Sequence, residues 1–208
     1  MSKADKRRFT YRIDASDTLA EVNEDWVEFA RANWRPDFSP DEVLGRCLWA
    51  SVADSSTRHI QQLLVKRVRG SGRPLAMPFR CDSPETRRFM ELTISLLAAG
   101  GVELSGRILR EEQRPKVPLL AADRPRSSLM LVMCGWCKKI RTPEWTVAEL
   151  WSQRTGTWWE VEELGSMLEG LHWEYLPDVS HSICPACYRM VMQKKEEAER
   201  SEGWRGTD

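Results

Sequence analysis

Between Thr10 and about Arg110 the spacing of apolar residues changes several times, and each change marks an element. Phe9, Tyr11 and Ile13 alternate with polar neighbours and predict a strand, and Leu19 to Val22 predicts a second. Asn23 stands where a helix would be capped, and Glu24 and Asp25 put negative charge in its first turn. Trp26, Ala30 and Trp34 then recur every four residues on one face until Pro36 ends the run. Asp41 to Trp49, with Gly45, is irregular. Asp54 is the predicted cap of a longer helix reaching Gly70, whose stripe of Ile60, Leu63, Leu64 and Val68 requires a flat apolar partner. Three further strands supply it: Leu75 to Arg80, Arg88 to Leu96 and Val102 to Leu109. Met90, Leu92, Ile94 and Leu96 share one face of the middle strand, and Ala98-Ala99-Gly100-Gly101 closes a hairpin to the last. Two strands, then helices, then three strands predict an α+β fold, an antiparallel five-stranded sheet with helices on one face.

The pattern breaks at Glu111 to Ser128, where Pro115, Pro118 and Pro125 stand among charged residues and predict an unpacked linker. Beyond it, Leu129 to Met133 predicts a short strand and Trp158 to Leu168 a helix. A last helix is predicted from Pro185 through Lys194 and Lys195. The expected division is a first domain over residues 9–112, a linker over 113–128, a second module over 129–200 and a disordered tail over 201–208.

Lys and Arg together number 31, as do Asp and Glu, so the 208-residue chain has no net charge. That balance argues against nucleic acid or an anionic membrane as the main partner. No apolar run approaches the roughly eighteen residues of a membrane span, and no signal-peptide core follows Met1 to Arg8. The expected location is the cytoplasm, where thiols stay reduced and paired cysteines mean metal or redox chemistry.

Four of the six cysteines form two C-x2-C pairs, Cys134/Cys137 and Cys184/Cys187. Each spacing lets a tight turn aim two thiolates at one ion, and zinc takes four such ligands tetrahedrally. The 46 residues between the pairs exceed the roughly 15–20 of a short ribbon, which adds only about 0.8 kcal/mol of loop-closure cost. Structural zinc releases roughly 10–16 kcal/mol. His181, three residues before Cys184, is a candidate second-shell or alternative ligand. Residues 131–140 also have the strand-then-C-x-x-C look of a thioredoxin site, so a thiol-disulfide redox protein using Cys134 and Cys137 is the competing reading. A third possibility is a redox switch that releases metal on oxidation. Cys47 and Cys81 have no partner at metal spacing and are expected to be buried small hydrophobes.

Val22-Asn23-Glu24-Asp25-Trp26 after a short strand, Val43-Leu44-Gly45-Arg46-Cys47-Leu48-Trp49 before the long helix, and three closing strands resemble a PAS sensor domain over roughly residues 9–110. The resemblance implies a ligand pocket or dimer surface, with Leu48, Trp49, Ile60, Leu64, Phe79, Met90 and Leu92 as its candidate lining. Haem-binding PAS domains take a proximal histidine from this part of the fold. His59 is the candidate here, but neither haem nor flavin is the expectation.

Cys134-x2-Cys137-x2-Ile140-Arg141, Gly156-Thr157-Trp158 with Glu162 and Glu163, and Ser180-His181-Ser182-Ile183-Cys184-Pro185-x-Cys187 are similar to a cysteine-rich module attached to bacterial PAS and other signalling proteins. Ser182 stands where that module usually has glycine, and Thr142 to Thr155 is an extra stretch. The likeness implies zinc on the four cysteines in a small ribbon- or knuckle-like module.

No Walker A loop, G-x-S-x-G elbow, kinase signature or H-E-x-x-H is present, and His59, His172 and His181 lack evident acid partners. The expectation is therefore a non-enzymatic cytoplasmic sensor or adaptor that contacts another signalling protein. It could also pair with itself through the PAS-like domain, with residues 1–14 as the expected contact. A zinc-dependent nucleic-acid regulator is a further alternative, motivated by Lys138, Lys139 and Arg141. Trp136, Trp145, Trp151, Trp158, Trp159 and Trp173 crowd the second module. Most are expected in its core and one or two on a partner surface.

Overall fold

The computed structural model describes residues 7–33, 35–52, 55–121, 123–141, 157–170 and 175–200. Trp34, Asp54, Trp145, Trp151, His172, Trp173, the Thr142 to Thr155 stretch, the tail 201–208 and residues 1–6 of the 1–14 segment invoked above for pairing lie outside them.

Strands β1 (Arg8–Ile13), β2 (Leu19–Val22), β3 (Leu75–Arg80), β4 (Thr86–Leu96) and β5 (Val102–Gln113) form one antiparallel sheet in the order β2-β1-β5-β4-β3. Helices α1 (Glu24–Asn33) and α2 (Ser55–Ser71) are inserted between β2 and β3. This is the α+β arrangement, an antiparallel five-stranded sheet with helices, that the alternation of periods predicts. Asn23 ties the first helix to the sheet: its Oδ1 accepts from the backbone N–H of Trp26 at 3.0 Å, which caps α1, and from that of Thr10 at 3.0 Å on β1. Ile60, Leu64, Val65 and Val68 of α2 are buried against Ile13, Leu75, Met77, Ile94 and Leu104. The opposite face of the sheet is polar, with Arg12 paired to Glu21 and Glu103 and Arg107 paired to Glu91.

A second sheet, in the order β8-β7-β6-β9, is built from β6 (Arg126–Cys134), β7 (Ile140–Arg141), β8 (Trp158–Trp159) and β9 (Leu176–Ser182). Helices α3 (Val161–Gly170) and α4 (Pro185–Arg200) complete this half. β6 and β9 run parallel, so the long gap between the cysteine pairs holds a crossover containing α3. The helix predicted from Trp158 begins at Val161, because Trp158 and Trp159 pair with Arg141 and Ile140 as strand.

The stretch predicted to be an unpacked linker is packed. β5 continues to Gln113 opposite Thr86, Pro118–Leu120 form a 3-10 turn, and β6 already starts at Arg126. Val117 and Leu119 are buried with Leu131, Met133, Ile140 and Leu164 in the core of the second sheet. The prolines stop regular structure there without keeping the apolar residues between them in water. Cys47, expected to be buried, is exposed, because it precedes the 3-10 turn Leu48–Ser51 at the surface and bridges to Thr18 on the rim.

A charge network joins the two halves. Arg114 pairs with Asp82 at 3.1 Å and with Glu162, Arg87 reaches Glu162 at 2.7 Å, and Arg80 pairs with Asp82 and with Glu160 at 3.0 Å. The Asp82 side chain is 0% exposed and that of Arg114 6%. Removing one partner from such a group leaves a buried charge uncompensated. Asp82→Ala is expected to lower stability by about 3–5 kcal/mol in urea denaturation.

Burial alone would raise the Glu162 carboxyl, but hydrogen bonds from Arg87 and Arg114 outweigh it and hold the group down at about 2. A depressed carboxyl stabilises the fold fully above its unfolded value near 4.5 and loses that contribution as pH falls toward 2. Glu162→Gln is therefore expected to flatten the fall in stability between about pH 5 and 2, and an unchanged acid limb would remove Glu162 from the account.

Candidate metal centre and adjoining cavity

The two halves of the metal centre are local motifs brought together by a parallel strand pair. Cys134 ends β6, and the chain turns back so that Cys134 N–H donates to the Lys139 carbonyl at 2.7 Å and Lys138 N–H to the Cys134 carbonyl at 3.0 Å. Lys138 closes this knuckle with φ of 62°, in the left-handed region that suits glycine better. Cys184 precedes α4, Pro185 takes its first position, and the Cys187 N–H points at Cys184 Sγ at 3.4 Å. Pairing of Cys134 with Ser182 across β6 and β9 joins the two motifs, and Cys184 N–H reaches Cys134 Sγ at 3.3 Å.

All four Sγ atoms lie within 4.8 Å of one another, and those of Cys137 and Cys184 are 3.7 Å apart. A tetrahedron with metal–sulfur bonds of about 2.3 Å has edges of about 3.8 Å, whereas a disulfide needs about 2.05 Å. The chemistry of the set agrees. Hydrogen bonds from the Cys137 and Cys187 thiols favour a thiolate at Cys134, and bonding to Cys134 pushes Cys137 up to about 12 and Cys187 up as well. Four thiolates can share this volume only around a cation. The residues present therefore fit a tetrahedral thiophilic ion such as zinc. His181 lies outside this group, exposed on β9 opposite Met133.

A cavity of about 250 Å³ adjoins the centre on the helix-bearing face of the first sheet. Phe9 and Tyr11 of β1, Met90 and Leu92 of β4 and Phe79 of β3 form its sheet side. Trp26 and Phe29 of α1 and Thr57 and Gln61 of α2 form its helix side. Gly106, opposite Phe9 and Leu92 in the central strand, leaves the floor open. The remaining wall is Gly135 and Trp136, the two residues between Cys134 and Cys137. The knuckle is fastened there by the Arg80 N–H donating to the Trp136 carbonyl at 2.7 Å and by Gly135 N–H donating to the Ser182 carbonyl at 2.8 Å. No charged side chain is among the lining residues, and desolvation pushes the Tyr11 phenol up to about 12 and the Cys81 thiol upward.

Of the seven predicted pocket residues, Phe79, Met90 and Leu92 line this cavity. Ile60 and Leu64 are buried in the core beneath α2, while Leu48 packs at its margin. Trp49 faces a separate recess with Asp17, to which its Nε1 donates at 2.5 Å. His59 is exposed and does not line the cavity. Phe9 and Tyr11 were legible as one face of β1, and Thr57 and Gln61 as the polar start of the α2 stripe. Gly135 and Trp136 carry no sequence signal for this role.

Lys138, Lys139 and Arg141 are engaged within the fold, with the Gly135 carbonyl, Glu160 and the Trp158 ring respectively. Trp136 and Trp159 are buried, as expected of a small core, and Trp158 is half-buried. Among the described residues no helix is long and apolar enough to cross a membrane.

No family model matches the chain, and no curated protein matches it. Among solved structures it is similar to a quorum-sensing receptor PAS domain from Cronobacter turicensis in complex with C12:0, with 11% identity over 53% of this chain and 99% of that one and a TM-score of 0.39. It is also similar to a sensory box sensor histidine kinase from Vibrio cholerae, with 8% identity over 50% of this chain and 83% of that one and a TM-score of 0.37. A domain of an HTR-like protein from Haloarcula marismortui matches at 17% identity over 50% of this chain and 98% of that one, with a TM-score of 0.34.

Protein purified without added zinc is expected to carry one zinc per chain by elemental mass spectrometry, and Cys184→Ser to lose the metal together with thermal stability. Folded protein that is purified without metal and takes up none when zinc is added would remove the site.

Proposed function

We propose that the chain is a non-enzymatic cytoplasmic sensor or adaptor in signalling. The PAS-like half takes up a small molecule in its cavity, and zinc on Cys134, Cys137, Cys184 and Cys187 holds the second half in shape for contact with another signalling protein. The observation that carries this reading is the apolar, ligand-sized cavity between the five-stranded sheet and its helices, placed against a four-sulfur centre.

The sulfur arrangement weighs against a thioredoxin-like dithiol. A redox pair needs only Cys134 and Cys137, whereas here all four sulfurs converge. Engagement of the three cations near the first knuckle likewise leaves a nucleic-acid surface without its phosphate contacts. Zinc in such a closed four-thiolate set is structural, because no coordination position stays open for a substrate. Self-association through the PAS-like half is the remaining part of the proposal, and light scattering of the purified chain reads it directly.

Thermal denaturation with a panel of uncharged aromatic and aliphatic compounds tests the sensor reading. A subset is expected to raise the midpoint by several degrees, as binding to the native state alone requires. Failure of every compound, combined with turnover of insulin disulfides that persists in Cys184→Ser, would replace the sensor with the thiol-redox reading.

A further inference from the structure

The cavity is closed by residues that belong to the metal centre. Gly135 and Trp136 are the two residues spanned by the first cysteine pair, and both are in the cavity wall. Their position depends on the pair at each end and on two backbone hydrogen bonds, from Arg80 N–H to the Trp136 carbonyl and from Gly135 N–H to the Ser182 carbonyl. A Cβ at Gly135 would lie 3.5 Å from Thr57 Oγ1 and 3.7 Å from the Ser182 carbonyl, so the knuckle lies flat against α2. Trp136 is 5% exposed, and among the described residues its Nε1 has no hydrogen-bond partner. A buried indole N–H without an acceptor costs about 1–3 kcal/mol.

We infer that Trp136 is the residue through which the metal centre and the cavity are coupled: metal on the four thiolates seats the Gly135–Trp136 wall, and the seated wall completes the cavity for an uncharged, largely apolar ligand. This rests on the reading of the cysteine cluster as a metal site and of the cavity as a ligand site, and it adds that neither is independent of the other. The ligand class follows from the lining, which is aromatic and aliphatic with Thr57, Gln61 and Tyr11 as further polar groups and no charged side chain to pair with an ionised one. The two binding events must favour each other by the same factor, since coupling between two sites on one molecule is reciprocal. The chain then reports a small molecule only while its metal is in place, and holds its metal more firmly when the molecule is bound.

The test uses the full chain and the neutral fluorophore N-phenyl-1-naphthylamine, with its sulfonated relative 8-anilino-1-naphthalenesulfonate as the charged control. Zinc-loaded protein is expected to bind the neutral probe saturably and at least tenfold more tightly than the anionic one. Gly106→Val places a β-branched side chain in the cavity floor, where a Cβ meets Met90 Cε at 3.5 Å and Phe9 O at 3.8 Å without a clash. It is expected to abolish probe binding and keep its zinc. Stripping the metal with a chelator is expected to weaken the neutral probe at least tenfold, and saturating probe to slow zinc loss to the chelator correspondingly.

Equal probe affinity with and without zinc, in protein whose far-UV circular dichroism is unchanged, would overturn the coupling while leaving both sites standing. Where stripping unfolds the chain, zinc-loaded Trp136→Ala takes its place. A tenfold loss of probe affinity at unchanged zinc content supports the inference, and unchanged affinity overturns it. A purified protein that binds no zinc at all would instead bring down the metal reading on which the coupling rests.

Discussion

Four sulfur atoms crowded within 4.8 Å impose the constraint on which the rest of this molecule depends. Four thiolates at that distance would repel one another strongly in a site shielded from water, and a cation among them would offset that repulsion. Everything that brings them together is ordinary backbone chemistry. A strand end and a left-handed residue make one knuckle, a helix start after a proline makes the other, and a parallel strand pair sets the two side by side. A metal ion held there would clamp the β6 end to α4 and hold the elements between them as one crossover.

That clamp does not stand apart from the first sheet. Cys134, Trp136, Cys184, Cys187 and Val191 share one buried cluster with Ile13, Ile60, Leu64, Met77 and Ile94. A second tie between the same two halves is the Arg80–Asp82–Arg114–Glu162 network. Burial of charge there has a cost that only complete pairing offsets, which favours one relative placement of the two halves over others. The half built on the five-stranded sheet and the cysteine-rich half share a buried core and a cavity wall.

Two residues without side chains stand in the cavity wall. Gly106 leaves the floor of the sheet open between Phe9 and Leu92, and Gly135 lets the knuckle approach Thr57 of α2. The surrounding rings fill the margins and leave about 250 Å³ free. Burial raises the titratable groups at its edge, Tyr11 and Cys81, above their ordinary values.

The sequence by itself determined the elements of the first sheet, the cap at Asn23 and the four sulfur ligands, because each rests on spacing within a few residues: a period of two, a period near four, or a C-x2-C turn. It misread Glu111 to Ser128, where prolines and charges signalled a linker although Val117 and Leu119 are buried. It placed Trp49, Ile60 and Leu64 in a pocket they do not line, since an apolar stripe does not say whether it faces packed core or open space. Only the tertiary structure decided that Gly135 and Trp136 close the cavity and that Arg114 meets Glu162. Those contacts join segments far apart along the chain, and their partners are set by which surfaces remain apolar or charged after the local elements have formed.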